Sequence, residues 1–295
     1  MKQKWLWIGL AVGSAITFFL ILMIGIAVLL SGEGNAFKGD GVGLVEIKGV
    51  IIDSQETVKQ LHNLKKNRHV KAVVVRIDSP GGVVGPSQEI HDEIRKIAAS
   101  KKVVVSMGSV AASGGYYIAA PASRIYANPG TITGSIGVLM KFSNMEGLME
   151  KVGLKAFTLK TGQFKDAGSP VRPMQAEERA MLQGVIDSAH GQFIRAVAEG
   201  RRIPLEEVKK IADGRVFTGE QALALKLVDK LGTLQDAVEE AGRLAGLPGE
   251  PEVIRPPKKK KMFLDLLVEE TASSIASAIG PAGLSVVYEP GVAAR

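Results

Sequence analysis

The sequence predicts an α/β fold built on parallel strands, and two observations support this prediction. Short runs that are mostly apolar and rich in β-branched residues, such as Ala72–Ile77 and Lys102–Met107, are typical of strands buried on both faces of a sheet. Each run is followed by a glycine-rich turn and then by a segment with apolar residues at helical spacing. Two strand–turn–helix units in succession indicate parallel strands joined by crossover helices.

The predicted elements alternate along one domain, residues 41–255. They are, in order, a strand over Val42–Ile52 with a turn near Gly49, a helix over Thr57–Lys66, the strand Ala72–Ile77, a helix over Pro86–Ala99, the strand Lys102–Met107, a helix after Ser113, and a short strand over Ile125–Ala127. A stretch rich in glycine and threonine, 130–138, follows, and 175–245 is predicted to be mostly helical. The predicted domain is therefore a core of βαβ units with a helical extension.

The segment Trp5–Leu30 predicts one transmembrane helix. It is continuously apolar apart from small residues, and about 20 apolar residues suffice to span a bilayer. Lys2 and Lys4 precede it, which favours a cytoplasmic N-terminus and an exported remainder. Residues 1–40 are thus predicted to be an anchor (about 5–30) and a linker. The alternative is a cleaved signal peptide, although its apolar region is normally only about 7–15 residues long.

Residues 256–295 are predicted to form a basic linker, an amphipathic helix and a strand. Lys258–Lys261 is the one cluster in a chain whose net charge of +7 is otherwise spread out. Beside the apolar residues Phe263–Ile279, it suits an anionic membrane surface better than nucleic acid, and a solvated linker is an equal alternative. A strand is expected over Leu284–Tyr288. The chain has no cysteine, which excludes disulfides and thiolate catalysis, and we expect no cofactor or metal.

The stretch Val110–Ile118 places a lone hydroxyl, Ser113, among small residues. It follows a predicted strand and opens a helix-compatible segment, where free backbone N–H groups and the positive end of a helix dipole are available. A serine nucleophile beside an oxyanion hole requires these features. The alternative is that Ser113 only caps the helix, since serine is among the best N-cap residues.

Gly81 and Gly82 follow a second predicted strand, at the sheet edge where parallel α/β folds bind ligands. Glycine permits a close approach of a substrate backbone, so this pair can offer N–H groups to an oxyanion. A plain Pro-Gly turn is the alternative. The two turns at one edge strengthen the prediction of a site.

A serine nucleophile needs a base, and the residues alone leave its identity open. The four histidines are His62, His69, His91 and His190, and none lies in a recognisable motif. A lysine serves as a base only when desolvation keeps it neutral at physiological pH. Lys165 lies beside Phe164 in a loop bounded by glycine and proline, but by composition it is one of many lysines.

Several motifs in order resemble the signal peptide peptidase A family over roughly residues 40–250. They are Asp78–Gly82, Ala111–Tyr117, Thr133–Val138, Gly162–Lys165 and Arg215–Gly219, with Ala222 and Leu225–Gly232 after them. The resemblance implies a short-form, membrane-anchored serine peptidase with a fold similar to Clp protease and the crotonases. It further implies a bacterial inner-membrane location, with the catalytic domain on the exported side.

By the same resemblance, Ser113 is the nucleophile, Lys165 its general base, and Ser135 the residue that orients the lysine amine. Gly81 (or Gly82) and Gly114 supply the oxyanion hole. The resemblance also implies a ring-like homo-oligomer, in which neighbouring subunits complete the sites and keep Lys165 dry. Asp166 is expected to point away from Lys165, because a paired carboxylate favours the charged lysine.

The predicted function is endopeptidase cleavage of extended apolar peptides near the membrane, including signal peptides left after secretion. Three alternatives stay open: a stomatin-operon-type protease of membrane proteins, a crotonase-like enzyme that is not a peptidase, and a non-catalytic scaffold. For the C-terminal segment the alternatives are packing on the core or a neighbouring subunit, membrane binding, and occupation of the active site, as in short-form relatives.

Overall fold

The computed structural model describes residues 13–14, 16–25 and 39–256, and the backbone of 285–287. The chain divides into two units, 1–38 and 39–295. In the first unit, residues 13–14 and 16–25 are helical. Within the residues the structure describes, no helix is both long and apolar enough to cross a membrane. Much of the predicted span, about 5–30, lies outside those residues.

Helices and strands alternate through the second unit. The strands are β1 (Gly41–Lys48), β2 (Val70–Ser79), β3 (Gly81–Val83), β4 (Lys102–Ala112), β5 (Arg124–Ala127), β6 (Ile132–Gly134), β7 (Val216–Thr218), β8 (Lys230–Leu231), β9 (Glu252–Ile254) and β10 (Ser285–Val287). The helices are α1 (Gln55–Lys66), α2 (Val84–Ala98), α3 (Gly114–Ala119), α4 (Glu146–Lys151), α5 (Ala176–Arg201), α6 (Leu205–Ile211), α7 (Gly219–Ala224) and α8 (Leu234–Leu244).

The main sheet is largely parallel, in the order β7-β6-β4-β2-β1-β9. Strand β4 has a different parallel neighbour at each end: its first half pairs with β5 and its last residues, Val110–Ala112, pair with β6. The βαβ prediction is confirmed, because β1, β2 and β4 are parallel and are joined through α1 and α2. The carboxyl ends of β2, β4 and β6 therefore meet at one edge.

The core lies on both faces of the central strands. Residues Ala72–Val75 of β2 are fully buried, as a strand covered on both sides must be. On one face, Val74 and Val104 pack with Ala237 and Ala241 of α8. This burial fixes the strand ends that carry the glycine-rich turns.

The largest differences from the prediction are the end of β4 and a missed strand, β7. The strand predicted to end at Met107 continues to Ala112, because side chains hold its last residues extended. The N–H of Val110 donates to Asp78 Oδ1 at 3.1 Å, and the Thr131 hydroxyl donates to the carbonyl of Gly108 at 2.7 Å. The region predicted to be mostly helical also contains β7, which pairs antiparallel with β6.

The strand predicted over Leu284–Tyr288 is present as β10, and its backbone pairs antiparallel with β3. In this register Val286 lies opposite Gly82. The predicted basic linker Lys258–Lys261 and the amphipathic helix Phe263–Ile279 lie outside the described residues. Of the C-terminal segment, the structure thus describes the part that adds a strand to the glycine-rich edge.

Candidate active site

Ser113 occupies a strained turn between β4 and α3. Its φ of 54° and ψ of −117° are unusual for a residue with a Cβ. Ser113 stands at the N-cap position of α3, as the alternative interpretation expected, but its side chain makes no capping hydrogen bond. The residue is 1% exposed. A sharp, strained strand-to-helix turn is the geometry by which α/β-hydrolases present a nucleophilic serine.

Hydrogen bonds and aromatic packing hold this turn in place. The Ser113 N–H donates to the carbonyl of Gly134 at 2.8 Å, and its carbonyl accepts from the N–H of Tyr117 at 2.8 Å. The buried Tyr116 hydroxyl donates to the carbonyl of Leu227 at 2.9 Å, and burial raises the pKa of that phenol. The ring of Tyr117 stacks obliquely on Phe193, 4.8 Å between centroids. The two tyrosines therefore anchor the helix that follows the serine.

The glycine turn after β2 packs directly against the serine turn. A Cβ on Gly115 would lie 2.8 Å from the carbonyl oxygen of Ser79. Gly81 has a φ of 105°, and its N–H donates to the Ser79 hydroxyl at 3.1 Å. Gly82 passes so close to Ile51 that any Cβ would overlap its carbonyl oxygen. The glycine turn therefore packs against the helix that follows Ser113, at the edge of the sheet where both turns were predicted.

Ser135 lies beside Ser113. Ala112 of β4 is paired with Gly134 of β6, and Ser113 and Ser135 are the residues that come next. Because neighbouring strands lie about 4.8 Å apart, the two serines are close to each other. Ser135 also has a positive φ, 51°, and is largely buried. Its N–H donates to the carbonyl of Arg215 at 2.8 Å. Two buried hydroxyl residues with strained backbones therefore stand side by side at the carboxyl ends of β4 and β6.

Lys165 is not brought to this pair within the single chain. It is exposed, in a turn where its N–H donates to the carbonyl of Gly162 at 3.4 Å. Among the described residues, none forms an ion pair or side-chain hydrogen bond with the Lys165 amine. Asp166, which follows it, pairs with Lys160 and Arg172 instead, so its predicted orientation away from the lysine is confirmed.

Three of the four histidines contact acidic side chains. His62 faces Glu93, His69 faces Asp40, and His91 contacts Asp92. Burial lowers the pKa of His91, which stacks edge-on against a tyrosine of α3. His190 has a buried Nε2 without a hydrogen-bond partner among the described residues. Within that part of the chain, no His, Asp and Glu side chains cluster as a metal site.

Sequence reasoning missed the residues that brace the strand ends. Thr133 donates its hydroxyl to the carbonyl of Ala111 at 2.7 Å. With the contacts of Asp78 and Thr131, this bond ties β2, β4 and β6 together immediately before Ser113. The only signal for this role in the sequence is that Asp78 and Thr133 occur in the family motifs.

Comparison with known proteins identifies the family. The family model for peptidase family S49 matches residues 95–248, just over half of the chain. The chain belongs to peptidase family S49. The Clp protease model matches residues 48–131, which agrees with the parallel βαβ core.

Three similar proteins carry peptidase names. A putative protease from Synechocystis is 46% identical over 208 residues, covering 70% of this chain and 75% of that protein. A putative signal peptide peptidase SppA from Enterococcus faecium is 32% identical over 277 residues, covering 81% and 80%. A chloroplastic serine protease SPPA from Arabidopsis thaliana is 34% identical over 207 residues, covering 70% of this chain and 31% of that protein.

This S49 chain is a serine peptidase. The predicted resemblance to signal peptide peptidase A is thereby confirmed, as is the mixed α/β fold with a Clp-protease-like part. The family assignment also removes the two alternatives in which the chain is not a peptidase.

Proposed function

We propose that this S49 peptidase cleaves peptides by a dyad in which Ser113 is the nucleophile and Lys165 the general base. The Ser113 hydroxyl attacks the scissile carbonyl carbon while the neutral lysine amine takes its proton. The amine then returns that proton to the leaving nitrogen, and a water molecule hydrolyses the acyl-enzyme by the reverse route. The observation that carries the proposal is the strained, buried and non-capping Ser113 turn.

The oxyanion that forms in this reaction needs backbone donors beside the serine. Gly114 opens α3 directly after Ser113, where helical N–H groups have no partner within the helix. The turn at Gly81 packs against the same helix, and we assign the second donor to it. The Gly81 N–H donates to the Ser79 hydroxyl in this structure and has to exchange that partner for the oxyanion.

The lysine base is supplied by a neighbouring copy of the chain in a ring-like homo-oligomer. A lysine acts as a base where water is excluded from its amine, so the exposed Lys165 requires a surface that covers it. Its segment carries large apolar side chains in solvent, including Phe157 at 90% exposed and Leu159 at 95%. Contiguous exposed apolar surface marks an interaction site. A second copy seated on this surface would bury these side chains and desolvate Lys165.

Substrates add as an antiparallel strand along β3. One edge of β3 is bonded to Ile51, whose N–H donates to the carbonyl of Gly81 and whose carbonyl accepts from Val83, both at 2.8 Å. The other edge presents the backbone of Gly82, and β10 of the chain itself pairs there. An extended peptide can use the same hydrogen bonds. β10 therefore acts as a stand-in for substrate and competes with it.

The substrates are extended apolar peptides at a membrane, including signal peptides left after secretion. Support comes from the apolar segment Trp5–Leu30, which suits an anchor with the catalytic unit exported, and from the name of the Enterococcus relative. Such a peptide exposes backbone and apolar side chains together, which matches strand addition. In this arrangement the enzyme works at the outer face of a bacterial inner membrane.

Single substitutions at the dyad test the proposal. Ser113→Ala and Lys165→Ala are each expected to lower hydrolysis of a fluorogenic apolar peptide by at least about 10³-fold, because neither group works without the other. Lys209→Ala, which removes an exposed lysine on α6, is the matched control and is expected to keep full activity. Full hydrolysis by either dyad variant would refute the assignment.

A further inference from the structure

We infer that Arg172 is a positioning residue for the base: it ties the Lys165 loop to α5 and holds the Asp166 carboxylate away from the Lys165 amine. This inference rests on the proposed dyad. Arg172 lies seven residues after the lysine and does not touch Ser113 in the described contacts. Its role follows from the groups that its guanidinium joins.

The Arg172 guanidinium bridges the loop to a buried carboxylate of α5. Its Nη1 donates to Glu178 Oε2 at 3.0 Å, and its Nη2 donates to Glu178 Oε1 at 2.5 Å. Glu178 is 1% exposed and also accepts the N–H of Gln175 at 2.9 Å, which closes the capping box of α5. A two-point arginine–carboxylate pair fixes direction as well as distance. The loop end is therefore held rigidly on the start of a long helix.

The same guanidinium reaches back to Asp166 at three points. Its Nε donates to Asp166 Oδ2 at 3.0 Å, its Nη2 lies 2.9 Å from Oδ1, and Nη2 also donates to the Asp166 carbonyl at 3.1 Å. Lys160 contacts Oδ1 from the other end of the loop and also donates to the carbonyl of Gln163 at 2.8 Å. The residue next to Lys165 is thus fixed through both its side chain and its backbone.

The charge of Asp166 explains why its fixed position matters for the Lys165 base. Arg172 and Lys160 hold the pKa of Asp166 well below its usual range, so it is a carboxylate at every working pH. A carboxylate that turns toward the neighbouring amine favours the ammonium form and removes the base. The charged groups that face Asp166 are Arg172 and Lys160 of its own loop and Glu178 of α5. Arg172 is the only one of these that engages both Asp166 and α5.

The test is the pH profile of kcat/KM in the full chain. Arg172→Gln with Glu178→Gln neutralises the pair without leaving a buried charge, and glutamine at 178 can still complete the capping box. Asp166 Oδ2 is then released while Lys160 stays on Oδ1. The acid limb, where activity falls as the amine is protonated, is expected to move to higher pH by about one unit. Adding Asp166→Asn to this double variant is expected to return the limb to its wild-type position.

The matched control is Arg243→Gln with Glu240→Gln, a similar two-point pair on α8 at 3.0 and 2.8 Å, which is expected to leave the limb in place. If the double variant at 172 and 178 does not fold, judged by its thermal unfolding midpoint, Arg172→Lys is used. That substitution keeps the charge but loses the fork, and a smaller shift in the same direction is expected. An acid limb that stays in place, or one that Asp166→Asn does not restore, would overturn the inference.

The outcome is separable from a failure of the dyad. A wrong dyad shows itself as activity retained by Ser113→Ala or Lys165→Ala. A wrong role for Arg172 shows itself in an enzyme that depends on both residues and yet has an unchanged acid limb.

Discussion

Ser113 is 1% exposed and is tied by hydrogen bonds to β6 and α3, whereas Lys165 stands in solvent on a segment rich in exposed apolar side chains. The serine turn is built entirely by its own chain: strands fix its ends and two tyrosines anchor its helix. The lysine loop has its direction fixed by Arg172, but nothing in the described chain covers the amine. In the proposed dyad, one chain thus assembles the nucleophile and presents the base to a neighbouring copy.

The largest expected effect on activity comes from substituting the exposed apolar side chains of the segment that carries Lys165. Leu159→Asp, made together with Phe157→Asp, places charges in the proposed contact between copies. Activity is expected to fall by about 10²-fold or more, the contribution of a general base, while the thermal unfolding midpoint of the chain stays unchanged. Sedimentation should show loss of the oligomer. Leu205→Asp, which changes an exposed leucine on α6, is the control and is expected to keep activity and oligomer. If the Leu159 and Phe157 variant is monomeric and still active, the proposed contact between copies is wrong.

A substitution in the serine turn is expected to lower the stability of the chain, whereas the substitutions beside Lys165 leave it unchanged. Gly115→Ala brings a Cβ to 2.8 Å from the Ser79 carbonyl oxygen, so one backbone must move. The free energy of unfolding is expected to fall by about 1–3 kcal/mol, as for overpacking elsewhere. A small displacement of Ser113 is expected to cost about tenfold in kcat. Urea unfolding and steady-state kinetics measure both.

Gly85→Ala is the control for this substitution, because nothing lies within 4 Å of a Cβ at that helical position. It is expected to leave both quantities near the wild-type values. A fully stable and active Gly115→Ala variant would show that the turn is less constrained than its packing indicates.

The smallest effect is expected at the edge where β10 pairs with β3. A chain ending at residue 284 leaves Gly82 free for substrate. KM for an extended peptide is expected to fall about threefold, as the fraction of chains with an open edge rises, with kcat unchanged. An unchanged KM would mean that β10 does not compete with substrate for this edge.

The two regions also differ in how far the sequence predicts them. The Ser113 turn could be located from local pattern alone, because a buried strand, small residues and a helix start are all encoded within ten positions. Strand β4 was predicted five residues too short, since Gly108 and Ser109 interrupt its apolar pattern and distant side chains keep it extended. The antiparallel strand β7 was missed within a region of helical composition.

Lys165 could not be singled out from the residues themselves. Nothing near it in the sequence buries its side chain, which is also why the side chain is exposed in the single chain. What makes a lysine a base is the loss of water around its amine, and that depends on groups far away in sequence or in another chain. Family motifs supplied it instead. Likewise, the strand at Ser285–Val287 was predicted from its composition, but no local pattern indicates that Gly81–Val83, some two hundred residues earlier, is its partner.

The most direct test of the division between nucleophile and base is to co-assemble the two inactive variants. Chains carrying Ser113→Ala and chains carrying Lys165→Ala are co-expressed with different tags, and mixed oligomers are purified through both. If each site joins Ser113 of one chain to Lys165 of its neighbour, about a quarter of the sites in a random mixture regain both groups and hydrolysis returns in proportion. Mixed oligomers that stay as inactive as either variant alone would contradict the account, because they would place both groups in one chain.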